Sequence, residues 1–270
     1  MAQFTDKNIV ITGGTQGLGA SIAMLFAERG AAGIITCGRN ETNGHQVARR
    51  IQEKTNCPVH FVKADLADVN ACRQVIRAAD HEFGNIDVLV NAAALTDRGT
   101  ILDTSPELFD RMMAINLRAP FFLMQEAANI MRREKTHGAI INIASMSSMA
   151  GQPFISAYCA SKGGLSTLTK NTAYALMRDR IRVNGLNIGW MASDGEDMMQ
   201  KNYHSADDNW QIDAAAQQPF GRLIDPTEVA RAVAILASTE SGLMTGSMVN
   251  FDQSLWRAYN SPPTPTEHLV

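Results

Sequence analysis

The chain has 270 residues, 45% hydrophobic and 19% charged, enough for one large α/β domain with a well-buried core. A net charge of −3 leaves no basic surplus for neutralising a phosphate backbone, which makes nucleic acid a poor partner. No cationic leader precedes an apolar stretch and no run of roughly 18 apolar residues occurs, so the expectation is a soluble, cytoplasmic protein with no membrane partner.

In chain order, Asn8–Thr12 is an apolar, β-branched run and predicts the first strand; Leu18–Arg29 then has helical period. Further strands are predicted at Gly33–Cys37, Val59–Lys63, Val88–Asn91, Ala139–Ile143, Arg182–Leu186 and Ser247–Phe251. Helical period marks Glu41–Lys54, Val69–Phe83, Pro106–Arg133 with Ser105 as N-cap, Ser156–Arg178 and Thr227–Ala237. Apolar strands alternating with helices predict an α/β fold: a doubly wound, seven-stranded parallel sheet with helices on both faces, in one domain over residues 1–254. The stretch from about 190 to 218 lacks a sustained apolar stripe and follows the sixth strand; it is expected to be a lid over a site. Residues 255–270 include Ser261-Pro-Pro-Thr-Pro-Thr and are expected to form an extended or disordered extension, or an interface arm. Cys37, Cys57, Cys72 and Cys159 show no Cys-x-x-Cys spacing and read as reduced thiols.

The chemistry concentrates in a few short stretches. Thr12-Gly-Gly-Thr-Gln-Gly-Leu-Gly19 joins the first strand to the first helix, the setting in which glycines let a backbone approach a pyrophosphate at a helix N-terminus. Gly13, Gly17 and Gly19 are the glycines in question, although their spacing differs from the commonest dinucleotide fingerprint. At the end of the second strand Cys37-Gly38-Arg39-Asn40 lacks the carboxylate that an NAD ribose prefers, and the fork of Arg39 suits a 2′-phosphate, so NADP is favoured and NAD is the alternative. Gln16 occupies a position where a second cation would strengthen that preference. Asp65, after the third strand, suits either an adenine hydrogen bond or a helix N-cap. Tyr158 and Lys162 lie four residues apart, on one face of a helix, where the ammonium is expected to favour an ionised phenol.

Taken together these motifs resemble the short-chain dehydrogenase/reductase family, from about residue 5 to 254. Thr12–Gly19 matches its Thr-Gly-x-x-x-Gly-x-Gly; Asn91-Ala-Ala-Ala94 its Asn-Asn-Ala-Gly; and Asn116, Ser145 and the Tyr158/Lys162 pair its catalytic positions. The resemblance implies a Rossmann fold and an NADP- or NAD-dependent oxidoreductase in which Tyr158 moves a proton while hydride passes between nicotinamide and a carbonyl carbon. Ser145 would hydrogen-bond the substrate oxygen, Lys162 would also hold the nicotinamide ribose, and Asn116 would anchor a water chain to Lys162. Around the cofactor it implies Thr15, Gln16 and Leu18 beside the glycines, Asn40 beside Arg39, Leu66 beside Asp65, and Asn91, Ala92 and Ala93 beside Tyr158 and Lys162. Gly189, Met191 and Ser193 would meet the carboxamide, with Ile188-Gly189 replacing the usual Pro-Gly and Ser193 the usual threonine. A homo-oligomer, dimer or tetramer, is implied, with Phe121-Phe122 compatible with an interface or with core.

Substrate contacts are expected from Ser145, Gln152, Tyr158 and Trp190. The lid residues Trp190, Asp194, Glu196, Asp197, Tyr203, His204, Asp207, Asp208 and Trp210 combine aromatic faces with carboxylates, which suits a sugar or polyol; the alternative is a solvated acidic loop with Trp210 packed on the sheet. No metal is expected. A 3-oxoacyl-(acyl carrier protein) reductase is a second reading, although an acidic carrier calls for a basic entrance; Arg118, Arg132 and Arg133 are candidates for a patch elsewhere. A catalytically silent nucleotide sensor is a third.

Overall fold

The computed structural model describes residues 3–254; the extension expected at 255–270 lies outside them. Seven strands form one parallel sheet: β1 (Asn8–Thr12), β2 (Gly33–Gly38), β3 (Val59–Lys63), β4 (Val88–Asn91), β5 (Ala139–Ser145), β6 (Arg182–Ile188) and β7 (Met248–Phe251). Their order, β3-β2-β1-β4-β5-β6-β7, reverses direction between β1 and β4, and it is beyond the carboxyl ends at such a switch point that open α/β sheets bind ligands.

Side-chain alternation builds two cores. Ile9 and Ile11 of β1 join Val88 and Val90 of β4, Ile141 and Ile143 of β5, and Leu186 and Ile188 of β6 under α1 (Gly17–Glu28) and the late helix α9 (Pro226–Ala237). On the opposite face Val10, Leu89, Ile140 and Val183 pack under α3 (Val69–Phe83), α5 (Ala119–Arg133) and α6 (Ser156–Leu176). The central strands are therefore covered on both faces, which is why β1 and β4 read as near-continuous apolar runs. Helix α2 (Glu41–Thr55) completes the first layer, its start capped by Asn40, whose Oδ1 accepts from Asn43 N at 3.0 Å.

Four departures from the sequence expectations bear on the site. Strand β5 runs two residues farther than periodicity indicates, so Ser145 is its last residue. The long helix expected at Pro106–Arg133 is divided: α4 (Pro106–Met113), capped by Ser105 as anticipated, passes through a π turn at Ala114–Arg118 before α5 begins. The stretch from 190 to 218 contains two helices, α7 (Asp194–His204) and α8 (Trp210–Ala216). Helix α7 buries no residue and α8 buries only Trp210 and Ala214, so neither has the stripe that period analysis detects. Asp65 is not a helix N-cap: Asp68 caps α3, accepting from Asn70 N at 2.8 Å.

One basic residue closes the back of the domain. Arg182, at the start of β6, donates to the carbonyls of Leu236, Ala237 and Ser238 at 2.8, 3.2 and 2.9 Å and to Ser241 Oγ at 2.6 Å, supplying the missing partners at the end of α9. Replacing Arg182 with Met should lower unfolding stability by about 2 kcal/mol, the loss expected for charge-assisted hydrogen bonds of this kind. Urea unfolding checks it, and a change near zero would mean that solvent serves these carbonyls equally well.

Candidate active site

A cleft of about 1300 Å³ runs across the carboxyl ends of the strands, from Arg39 and Asp65 at one end to Tyr158, Gln152 and Trp190 at the other. Its floor begins at the turn after β1. Gly13 has φ +72°, and a Cβ there would come within 2.9 Å of Ala93 Cα. Both amides, Gly13 and Gly14, donate to Cys37 O, and Thr12 Oγ1 accepts from Ala92 N at 3.0 Å and Ala93 N at 3.1 Å. Thus the β1 and β4 turns are cross-tied, and bare backbone forms the surface between them. Gln16 provides no side-chain cap for α1, and no acidic residue stands in its first turn, so the N–H groups at its start suit an anion. Thr15, Gln16, Gly17, Leu18 and Gly19 all line this stretch, as do Asn40 and Leu66 farther out.

At the outer end Arg39 is exposed at the cleft rim. Asp65 Oδ1 accepts from Ala67 N at 3.0 Å and Oδ2 from Arg111 at 3.1 Å. Burial works to raise its carboxyl, but the Ala67 N–H and Arg111 outweigh it and hold the group below the usual carboxylate range.

The inner end assembles the remaining candidates. Ser145 ends β5, and Tyr158 and Lys162 occupy successive turns of α6. Ser145, Tyr158 and Lys162 all line the cleft. Tyr158 is half-buried; desolvation pushes its phenol up to about 12, with a hydrogen bond to Ser145 pulling the other way. Lys162 is 2% exposed, and its Nζ donates to Ile143 O at 2.7 Å while standing 5.7 Å from the Tyr158 ring centre. Burial brings its amine down to about 8.

This corrects one expectation. The four-residue spacing does bring amine and ring together, but the phenol is raised and not lowered, because burial outweighs its polar surroundings and Nζ is hydrogen-bonded to a strand carbonyl. Asn116 lies in the π turn with its amide fully engaged: Oδ1 accepts from Leu95 N at 2.8 Å, and Nδ2 donates to Leu95 O at 2.9 Å and Ser161 Oγ at 3.1 Å. In this structure Asn116 therefore pins the loop after β4. Asn91 donates to Asn142 Oδ1 at 2.8 Å in the interior, behind the cleft. Ser193 caps α7 through Glu196 N at 3.2 Å; Gly189 and Met191 lie beside it along the cleft.

Over the inner end lies α7. Trp190, Glu196, Gln200 and His204 reach the cleft. Trp210, by contrast, is buried against Trp190, with ring centres 6.0 Å apart, and its indole N–H donates to Asp197 at 2.7 Å. Asp194, Asp197, Tyr203, Asp207 and Asp208 do not line the cleft, so the polar array expected of this stretch is smaller than its composition implied. Among the described residues no cluster of His, Cys, Asp or Glu is arranged to hold a metal. Arg98 was not legible beforehand: it stands in the loop after β4 without a motif, yet it lines the cleft and donates from Nε to His204 Nε2 at 3.1 Å. The helix above it did have a signal, the Ser193-x-x-Glu196 spacing of an N-terminal capping pattern.

A family model described as enoyl-(acyl carrier protein) reductase matches residues 13–253. The chain belongs to the short-chain dehydrogenase/reductase family. It is accordingly an NAD(P)-dependent oxidoreductase, and the glycine turn, the uncapped α1 and the continuous cleft suit a dinucleotide. Among its relatives, galactitol 2-dehydrogenase of Agrobacterium fabrum is 31% identical, covering 94% of this chain and 99% of that one. A 3-oxoacyl-[acyl-carrier-protein] reductase of Rickettsia conorii is 33% identical over 93% and 97%. The crystal structure of L-sorbose reductase from Gluconobacter frateurii, complexed with NADPH and L-sorbose, superposes with a TM-score of 0.88 at 26% identity, covering 96% and 100%. No helix among the described residues of this short-chain dehydrogenase/reductase is long and apolar enough to cross a membrane.

The amine of Lys162 carries a stability signature. Its folded-state pKa of about 8 lies below the ordinary 10.5, so below pH 8 the folded protein holds a proton its interior disfavours. Between those values the folded state releases that proton first, and the penalty is relieved as pH rises. Lys162→Met should therefore be more stable than the wild type at pH 7, by on the order of 1–3 kcal/mol, with the gap narrowing towards pH 10. Denaturation across that pH range, without nucleotide, measures it; a variant weaker than wild type at pH 7 would make the amine a net stabiliser.

Proposed function

We propose an NADP-preferring dehydrogenase/reductase that interconverts an alcohol and a carbonyl on a small hydroxyl-rich molecule, a sugar or polyol, with Tyr158 as acid/base. The observation that carries the reaction is the meeting of Ser145, Tyr158 and Lys162 at the inner end of a cleft whose other end is a glycine turn. A bound nicotinamide dinucleotide supplies or accepts the hydride. Gly13, Gly17 and Gly19 would hold its pyrophosphate, Arg39 its 2′-phosphate, and Gly189, Met191 and Ser193 its carboxamide. With a phenol at about 12, Tyr158 is protonated at neutral pH and ready to donate to a carbonyl oxygen. In the reverse direction the phenol would first release its own proton to solvent and then, as a phenolate with the Lys162 ammonium nearby, accept the alcohol proton. Ser145 Oγ hydrogen-bonds the substrate oxygen.

The substrate class is supported by the walls around Tyr158. Arg98, Ser147, Gln152, Glu196, Gln200 and His204 present polar groups, with Phe154 and Trp190 as aromatic faces. Substrates named for the similar proteins, galactitol and L-sorbose, are of the same class. The acyl-carrier reading draws on the Rickettsia relative, but two of the arginines it would use are engaged elsewhere. Arg132 pairs with Asp179 at 3.1 Å, and Arg133 with Asp80 and Glu134 at 2.6 Å each. Cytoplasmic residence suits the free, buried Cys37, Cys57 and Cys72, whose thiols burial pushes up to about 12, 11 and 11. A homo-oligomer suits the groove of about 870 Å³ beside α4 and α5, where Phe121 is exposed next to Leu117 and Phe122.

Absorbance at the reduced-nicotinamide band tests the reading, with NADPH plus ketoses, NADP plus polyols, and acyl thioesters in parallel. Turnover of ketoses or polyols is expected, falling by at least roughly 10²-fold in Tyr158→Phe while nucleotide affinity stays within a few-fold. Activity confined to 3-oxoacyl thioesters would support the acyl-carrier alternative, and undiminished turnover by the variant would remove the mechanism. For the cofactor, Arg39→Asp should move the kcat/KM preference from NADP towards NAD; an unmoved ratio would show that Arg39 does not read the 2′-phosphate.

A further inference from the structure

We propose that Arg98 and Glu196 together form a specificity element that recognises neighbouring hydroxyls beside the reacting carbon, selecting neutral vicinal diols over both anionic and unsubstituted substrates. It rests on the polyol reading above and refines it.

The two side chains come from separate elements, the loop after β4 and the first turn of α7, and both are largely enclosed, at 13% and 20% exposure. Each is held by groups that leave part of its hydrogen-bonding capacity open. Arg98 donates from Nε to His204 and from Nη1 to Thr96 O at 2.8 Å, and its guanidinium lies 5.6 Å over the Phe154 ring. Its Nη2 has Glu196 Oε1 as neighbour at 3.7 Å, too far for a hydrogen bond. Glu196 Oε1 already accepts from Trp190 Nε1 at 3.0 Å and Gln200 Nε2 at 2.8 Å. No hydrogen bond among the described residues reaches Oε2. A positioned donor, Nη2, and a positioned acceptor, Oε2, thus remain on two residues that form a loose ion pair without a mutual hydrogen bond.

Both residues line the cleft with Ser145 and Tyr158. Their charges act on the Tyr158 phenol in opposite directions, Glu196 raising it and Arg98 lowering it, which places both within electrostatic range of the reacting oxygen. A hydroxyl both accepts and donates, so adjacent hydroxyls can take a hydrogen bond from Nη2 and give one to Oε2. An alkyl group in the same position pairs with neither of these two largely enclosed groups. A phosphate or carboxylate meets the Glu196 charge at the distance where Arg98 would otherwise attract it. The pair therefore favours neutral, polyhydroxylated molecules.

Two substitutions test this: Glu196→Gln, which keeps the size and an acceptor for Trp190, and Arg98→Met, which keeps much of the packing on Phe154. Each is assayed with NADPH on a panel of ketohexoses, with NADP on hexitols, and on 2,3-butanedione, a reactive carbonyl compound without hydroxyls. The expected result is a fall of roughly 10–100-fold in kcat/KM for ketohexoses or hexitols, with less than about a threefold change for the dione. Equal losses on all substrates would make the pair a structural clasp for α7 and overturn the inference, as would unchanged discrimination in Glu196→Gln. If the wild type turns over the dione but no ketohexose or hexitol, the polyol reading itself falls, and this refinement with it.

Discussion

The arrangement of the active site depends on a chain of polar groups buried in the carboxyl half of the sheet. Asn91 of β4 donates to Asn142 of β5, and Asn142 donates to Thr169 of α6 at 2.9 Å, whose hydroxyl donates to Leu165 O within the same helix. Two turns earlier on α6, the Lys162 ammonium bonds the carbonyl of Ile143, the neighbour of Asn142. Such groups are costly unless paired, so they admit one seating of helix against strand where an apolar seam would tolerate several. With α6 seated, Tyr158 stands one turn before Lys162 and meets the last residue of β5, Ser145. Asn116 extends the same logic to the loop after β4, which its paired bonds to Leu95 hold against the π turn.

The cover over this site is held differently. Helix α7 buries no side chain and reaches the body through Tyr203 to Asp97 at 3.0 Å, Arg98 to His204, and the edge of His204 against Phe154. Contacts of this polar, half-exposed kind are individually weak, and segments held by them open at low cost. Behind it, Trp190, Trp210, Ala214 and Leu223 form a small apolar cluster of their own. The base of this segment is therefore firmly packed, while α7 is held by polar, half-exposed contacts.

How much of this was legible beforehand follows from the range of each interaction. The strands, most helices and the Gly13–Gly19 turn depend on residues adjacent in sequence, so periodicity and turn chemistry revealed them. Tyr158 and Lys162 share a face for the same local reason. The amine's hydrogen-bond partner, however, is a carbonyl nineteen residues upstream that only the sheet brings near, and burial there reversed the expected effect on the phenol. Arg98 was silent because nothing around it is periodic; its importance comes from α7, more than ninety residues later. The two helices of the cover lacked a buried stripe, leaving the Ser193-x-x-Glu196 capping spacing of the first as the one local trace.

The π turn at Ala114–Arg118 sets the facing of everything after it. A helix rotates by about 100° per residue, so the extra residue that such a turn accommodates determines which side of α5 looks inward. Leu123, Met124, Ala127 and Met131 now pack on the sheet while Phe121 points to solvent. Loss of a single residue from that segment would swing the inward row sideways and strip Asn116 from Leu95 in the same event. Length in this segment is thus under tighter constraint than chemical identity: many substitutions there leave the helix phase intact, whereas no one-residue deletion does.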